Sequence, residues 1–171
     1  MKETDELVQT FRFAVALTAT GPNKPNPPTL GDGYFSECSG LELEADIKEY
    51  QEGGRNDAVV RRVGRAKLSP IVLKRGMFVP TPGGSADTAI WDWITRMFEG
   101  RLPIPRYSGL VQVFAANGVR TVGRWEFYNG LPSKVVGPAL NARTGEIAIE
   151  ELHILHEGLK LVPGSSAGTR S

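Results

Sequence analysis

The chain has 171 residues, of which 40% are hydrophobic and 23% are charged, so its length and composition are those of one globular domain with its own core. Its formal net charge of +1 excludes a strong overall attraction to nucleic acid or membrane, and its single cysteine, Cys38, excludes an intrachain disulfide and a cysteine metal cluster. The charged start has no apolar segment, and no apolar run approaches the ~20 residues that span a bilayer. We therefore expect a protein without a signal peptide that is made and assembled in the cytoplasm.

Apolar residues recur at every second position near the beginning of the chain. They are Phe11, Phe13, Val15 and Leu17. This period of two predicts a β-strand whose apolar side faces a core. Residues 20–33 follow with four prolines and three glycines, a composition that predicts a surface loop.

A second alternation begins at Leu41. Its apolar positions are Leu41, Leu43, Ala45 and Ile47, and the positions between them are Glu42, Glu44, Asp46 and Lys48. The pattern predicts a half-buried strand with one apolar face and one mostly acidic face. Gly53 and Gly54 come soon after it and allow a sharp reversal of the chain.

The sign of the charge changes after this strand. Residues 37–52 hold six acidic residues and one lysine, whereas residues 55–75 hold seven basic residues and one aspartate. Two interpretations stay open: either both sets lie on solvated surfaces, or they form a polar hairpin whose charges meet neighbouring subunits. The second interpretation predicts an assembly interface that contains Glu42, Glu44, Asp46, Glu52, Arg55, Arg61, Arg62, Arg65, Lys74 and Arg75.

One amphipathic helix is predicted over residues 85–99. Its apolar positions, at the spacing of a single helical stripe, are Ile90, Trp93, Ile94, Met97 and Phe98. Ser85 is the predicted N-cap, and Gly100 is expected to end the helix. The stripe predicts that the helix packs on the β-structure.

The remaining elements are predicted to be strands. Two of them, over residues 110–115 and 120–127, are expected to form a hairpin through Asn117-Gly118. Asn129-Gly130 is typical of a further turn, and Pro132 is expected to interrupt strand pairing. Residues 146–155 are rich in β-branched side chains and predict another strand. The domain should extend over residues 1–162, followed by a flexible C-terminal tail over residues 163–171.

The sequence contains no catalytic motif that these elements could present. His153 and His156, with Glu150, Glu151 and Glu157, are the densest group of possible metal ligands. In a strand, positions 153 and 156 point to opposite faces, which argues against a shared ion. Cys38 is interpreted as a small buried apolar residue rather than a nucleophile. We therefore expect no enzyme activity, no catalytic residue, no cofactor and no metal.

Together these elements predict a mainly β fold. It is a single-domain β-barrel or sandwich of about seven or eight strands with one α-helix (residues 85–99) packed on it. Arranging the strands in a closed barrel or a sandwich protects sheet edges, which would otherwise pair with other chains and aggregate.

Two stretches resemble the contractile phage tail tube family, which includes the inner tube proteins of extracellular contractile injection systems. The residues that match in the second half of the chain are Trp125, Phe127, Pro132, Lys134, Gly137, Pro138, Leu140, Asn141, Ala142, Ile149, Glu150, Leu152, His156, Glu157, Gly158 and Leu159. Those that match in the first half are Phe35, Ser36, Glu37, Ser39, Gly40, Leu41, Glu49, Tyr50, Glu52, Gly53 and Gly54, followed by residues 71–76. The loop at residues 20–33 departs from the family pattern, in which a shorter turn joins these elements.

This resemblance implies a tail-tube-like fold and a structural role. Members of the family form hexameric rings that stack head-to-tail into a hollow tube inside a contractile sheath. The implied partners are sheath subunits, baseplate and terminal tube proteins, and protein or DNA cargo in the lumen. Two alternatives stay open: an effector-carrying ring protein like that of type VI secretion, and, from another class, a small-ligand-binding or enzymatic β-barrel supported only by the histidine–glutamate group.

Overall fold

A computed structural model describes residues 12–20, 30, 35–51 and 59–164. These residues form nine strands and one helix: β1 Phe13–Thr20, β2 Phe35–Ser39, β3 Leu43–Gln51, β4 Val59–Leu68, β5 Ile71–Gly76, α1 Ala89–Phe98, β6 Arg106–Phe114, β7 Thr121–Val136, β8 Ile149–Leu155 and β9 Gly158–Pro163. The predicted mainly β fold with a single domain is confirmed. None of the described helical residues makes a segment long and apolar enough to cross a membrane.

Seven of the strands form one antiparallel sheet around the long strand β7. The order is β1-β6-β7-β8-β5-β2, and β9 also pairs with β7. The first half of β7 pairs with β6 and β9, and its second half pairs with β8. Strands β3 and β4 form a separate two-stranded sheet.

The prediction of a turn at Asn129-Gly130 is wrong, because β7 continues through both residues. Asn129 has a φ of 53°, a conformation that asparagine tolerates better than most side chains. It lies between the part of β7 that pairs with β9 and the part that pairs with β8. The conformational freedom of Asn129 and Gly130 therefore allows β7 to change its pairing partner, from β6 and β9 in its first half to β8 in its second half. Pro132 is aligned with Ile154 of β8, and the register shifts immediately after it.

The core lies between the inward faces of these strands. Its buried members are Val15, Leu17, Leu30, Phe35, Ile71, Leu73, Ile90, Trp93, Tyr107, Val111, Phe127, Leu152 and Ile154. The predicted inward face of β1 is confirmed at Val15 and Leu17. Phe127 fits because residue 109 on the neighbouring strand is glycine: a Cβ there would lie 2.0 Å from the phenyl ring.

The helix is shorter than predicted and begins at Ala89. Asp87 explains the later start, because its Oδ1 accepts a hydrogen bond from the Ala89 amide at 3.1 Å. The buried side of its first two turns consists of Ile90, Trp93 and Ile94, and the indole Nε1 of Trp93 donates to the Pro105 carbonyl at 2.7 Å. The predicted apolar stripe is only partly buried, because Phe98 is 84% exposed in the last turn, beyond the core.

The C-terminal strands also differ from prediction. Strand β8 begins at Ile149, three residues after the predicted start at residue 146, and β9 was not predicted. β9 pairs with β7 and has no fully buried residue, so no buried apolar face marks it as a strand. It ends at Pro163, which suits the end of an edge strand.

Several sequence predictions fall on residues outside the described ranges. They concern Phe11, most of the 20–33 loop, Glu52, Gly53-Gly54, Arg55 and residues 165–171.

Candidate assembly interface

The β3–β4 hairpin stands apart from the main sheet, because its two strands pair only with each other. Pairing runs from Leu43 opposite Leu68 at its base to Val59 opposite Gln51 near its end. Most of its described side chains are exposed, on both faces. An isolated two-stranded hairpin is marginally stable in water. Another protein surface that buries its apolar side chains would therefore stabilise this hairpin.

One face of the hairpin carries a row of apolar side chains. Directly opposite pairs are Leu43–Leu68, Ala45–Ala66 and Ile47–Val63. We call these six residues the apolar face. Leu43 is 63% exposed, Ile47 48% and Val63 78%.

The sequence predicted that Leu43 and Ile47 would be buried, and within the subunit that prediction is wrong. Their alternation is real, but the described chain places no other element over this face. An uninterrupted apolar row of this kind is typical of a surface that another molecule covers.

A bulge keeps the apolar face continuous along the hairpin. The register shifts between Ala45 and Ile47, where β4 has one residue more than β3. Gly64 lies there, and a Cβ on it would come within 2.7 Å of the Asp46 carbonyl oxygen. A larger residue would therefore displace one strand from the other. The extra residue restores Val63 to the side of the sheet that Ala66 occupies.

The opposite charges of the two strands meet inside the hairpin. Arg61 Nε lies 3.0 Å from Glu49 Oε1, and Lys67 Nζ lies 3.3 Å from Glu44 Oε1. The change of sign along the sequence thus corresponds to the two strands of one hairpin. These pairs are exposed, so each contributes only ~0–1 kcal/mol to the stability of the subunit.

The other hairpin residues predicted for the interface lie close by. Ser69 donates a hydrogen bond to Glu42, and the guanidinium carbon of Arg62 lies 5.4 Å from the ring centroid of Tyr50. Asp46 and Arg65 lie at the bulge. The structure therefore brings together six of the ten predicted residues: Glu42, Glu44, Asp46, Arg61, Arg62 and Arg65. Glu52 and Arg55 lie outside the described residues.

Lys74 lies on the main sheet instead. Its Nζ is 2.9 Å from Glu37 Oε1 and 3.9 Å from Glu151 Oε2. The hydrogen bond that the Lys74 ammonium donates to Glu37 and the negative charge of that carboxylate raise the pKa of Lys74. Lys74 therefore belongs to an outward ladder of charges across β2, β5 and β8, distinct from the hairpin.

Arg75 is buried inside the subunit, with 1% of its surface exposed, so it is not accessible to a neighbouring copy. Its Nε lies 2.5 Å from Glu150 Oε1, and its Nη1 lies 2.9 Å from Asp87 Oδ2. The second Glu150 oxygen accepts a hydrogen bond from Trp91 Nε1 at 2.9 Å. Sequence reasoning missed this network because Arg75 and Glu150 become neighbours only through the β5–β8 register.

The candidate metal ligands occupy separate environments. His153 lies beside Glu151 on the outward side of β8. His156 is buried, with its two ring nitrogens each 3.0 Å from a backbone carbonyl, those of Gly158 and Ser69. No three such ligands come together within the part of the chain that the structure describes.

Cys38 packs against the core from β2, as a small apolar residue would. Burial raises the pKa of its thiol to about 12. Its thiolate, the nucleophilic form, is therefore scarce near neutral pH.

Comparisons with known proteins assign this fold to one family. The family model for the T4-like virus tail tube protein gp19 matches residues 9–160. No curated protein matches the sequence significantly.

Solved structures of high similarity come from contractile injection systems. A chain of the anti-feeding prophage (AFP) tube terminating cap is 20% identical, with a TM-score of 0.74, and 94% of each chain is covered. A chain of the PVC sheath-tube complex in the extended state is also 20% identical, with a TM-score of 0.72 and 92% of each chain covered. A chain of the six-fold symmetrised AFP baseplate is 18% identical, with a TM-score of 0.71, covering 94% of this chain and 98% of that one.

Proposed function

Since the chain belongs to the T4-like virus tail tube protein family and is a structural tube subunit, we propose that its copies form hexameric rings. The rings stack head-to-tail into the hollow inner tube of a contractile tail or extracellular contractile injection system. The six-fold symmetry of the AFP baseplate that holds a similar chain supports the hexamer. A head-to-tail contact joins two different surfaces, so it continues from ring to ring without closing.

The observation that carries this proposal is the free-standing β3–β4 hairpin. In a monomer the apolar row at Leu43, Ile47 and Val63 is exposed to water, which is unfavourable, whereas in a polymer the next copy would cover it. Burial of apolar surface stabilises such a contact by ~25 cal/mol per Å². We therefore propose the hairpin as the assembly interface, in which the apolar face supplies the contact area.

The charged residues of the hairpin set the specificity of this contact. The Arg61–Glu49 pair lies on the same side as the apolar face, since both residues share its alternation along β3 and β4. A neutralised pair can enter an interface at lower cost than an unpaired charge. It also disfavours a partner surface that would separate the two charges.

The proposed surroundings follow from the family and from the similar chains. The tube would lie inside contractile sheath subunits and end at baseplate and terminal tube proteins, as the sheath-tube, baseplate and cap structures suggest. Protein or DNA cargo would pass through the lumen. The role is that of a conduit and not of an enzyme. We further propose assembly in the cytoplasm into a phage-tail-like particle, either a virion or a released injection system. The family match favours this assignment over a type VI secretion ring protein.

Electron microscopy of concentrated protein tests the proposal. Negative-stain images of the wild type should show rings with a central hole, or tubes. Val63→Asp puts a charge in the apolar face at a site that is 78% exposed, so the subunit should fold but form no tubes. Val119→Asp is the matched control, because Val119 is 83% exposed in the turn between β6 and β7.

Three results would contradict parts of this proposal. A wild-type protein that stays monomeric at high concentration, with sheath and baseplate partners present, would exclude the tube. Normal tubes from Val63→Asp, or equal loss with Val119→Asp, would exclude the hairpin as the decisive contact.

The double variant Arg61→Glu, Arg62→Glu should also weaken stacking, because Glu49 would enter the interface without its partner.

A further inference from the structure

A second uncovered apolar surface lies at the C-terminal end of α1. It is a groove of about 570 Å³ between the helix, the middle of β7 and the end of β8. Its apolar walls include Met97, Phe98, Leu131, Pro132 and Leu155. Phe98 is 84% exposed and Leu155 is 50% exposed. The groove therefore presents large apolar side chains that the subunit itself does not cover.

The polar rim of the groove is already satisfied within the subunit. Arg106 Nη1 donates to Glu157 Oε1 at 2.8 Å and to the Asn129 carbonyl at 3.2 Å. Asn129 Nδ2 donates to the other Glu157 oxygen at 2.9 Å. A charged small molecule would compete with these internal pairs, whereas an apolar group can enter without disturbing them. The groove is therefore suited to an apolar protein segment.

The groove and the apolar face of the hairpin do not cover each other within one subunit. Val63 and Phe98 are both largely exposed in the same chain. The base of the hairpin is held beside the groove, because the Ser69 carbonyl that follows β4 lies 3.0 Å from Nε2 of the groove residue His156. Contact between the two surfaces therefore requires two copies.

The hairpin is the described segment best suited to fill the groove. Ile47 and Val63 are directly opposite each other, so they form one ridge with Cβ atoms ~4.5–5.5 Å apart. Outside the hairpin and the groove, four of the most exposed apolar residues, Leu102, Val119, Leu140 and Ile147, lie in connections between elements. Leu161, which is 58% exposed on β9, is opposite the partly buried Trp125 and not opposite a second exposed apolar residue. A paired hairpin loses less conformational entropy on binding than such a connection does.

We propose that the groove at the end of α1 receives the apolar face of the β3–β4 hairpin from a second copy of this chain. The inference rests on the proposed function, because it assumes that copies assemble. Each copy then offers a ridge on one side and a groove on the other. Two different surfaces of this kind give the heterologous contact that a growing tube needs.

Disulfide trapping between two singly substituted proteins tests the contact. Val63→Cys and Phe98→Cys are each made in a Cys38→Ala background, mixed, assembled and oxidised. A covalent dimer in the mixture, absent when either protein is oxidised alone, is the expected result, because a disulfide needs Cα atoms within about 7 Å. Val119→Cys mixed with Phe98→Cys is the matched control and should give no dimer.

The outcomes separate this inference from the proposed function. Tubes that form from the mixture without cross-linking would overturn the hairpin-in-groove contact and leave the tube assignment standing. A failure of the wild type to assemble would overturn the tube itself. Maleimide labelling of Phe98→Cys gives a second readout: protection by self-assembly supports the inference. Protection that appears only after sheath subunits are added would assign the groove to the sheath and overturn it.

Discussion

Replacing Trp93 with alanine should destabilise the subunit more than truncating any other side chain of α1. The side chain is 2% exposed, its ring meets that of Tyr107 edge-on at 4.7 Å, and its Nε1 donates to Pro105 at 2.7 Å. Truncating a buried tryptophan costs ~3–5 kcal/mol, a large share of the ~5–15 kcal/mol that stabilises a typical domain. For a domain of this size, that loss lowers the melting temperature by roughly 6–20 °C.

The assay is thermal unfolding of the unassembled subunit followed by circular dichroism, since assembly would raise the apparent stability of any variant that forms tubes. Phe98→Ala is the matched control. Phe98 lies on the same apolar stripe but is 84% exposed, so its replacement should change the unfolding free energy by less than ~0.5 kcal/mol. A wild-type melting temperature for Trp93→Ala, or an equal loss for Phe98→Ala, would refute the assignment of the core and groove sides of the helix.

Three further predictions test the core. Arg75→Met leaves the buried Glu150 carboxylate without its cation and should cost ~3–5 kcal/mol in urea denaturation; the double variant with Glu150→Leu should recover part of this loss, and no recovery would argue against the coupling. Gly109→Ala places a Cβ 2.0 Å from the Phe127 ring, so calorimetry should show a loss of ~1–3 kcal/mol, and unchanged melting would contradict the packing. Burial raises the pKa of Cys38 to about 12, so a thiol reagent near neutral pH should modify the folded subunit far more slowly than the denatured chain; equal rates would disprove this burial.

Local patterns in the sequence were sufficient for the type of most elements. The alternation around Val15 and Leu17 predicts β1, and Asn117-Gly118 predicts the turn between β6 and β7, where Gly118 has a φ of 72°. The helix was predicted at the right place but four residues too early, because Ser85 and Asp87 are both acceptable near a helix start. Only the structure shows which of them bonds to the first turn.

The sequence predicted an assembly interface around the β3–β4 hairpin, and this stays a prediction; it did not predict how the charges of the hairpin are arranged. The change in the sign of the charge indicated residues 42–65. The sequence alone, however, does not show whether the opposite charges meet within one hairpin or between two subunits. The register of β3 on β4 decides this for Arg61 and Glu49. The groove around Phe98 had no sequence signal, because its walls come from a helix and two strands that are distant along the chain.

Burial was the property that the sequence by itself did not determine. Strands β1 and β3 show the same alternation of apolar and polar residues, but Leu17 is in the core and Ile47 is exposed. Arg75 shows the opposite case, since a basic residue at a strand end is buried against Glu150. Alternation is a local consequence of strand geometry, which residues two apart reveal. Burial depends on which other element packs on that face, and this depends on contacts between residues far apart in the sequence that only the tertiary structure decides.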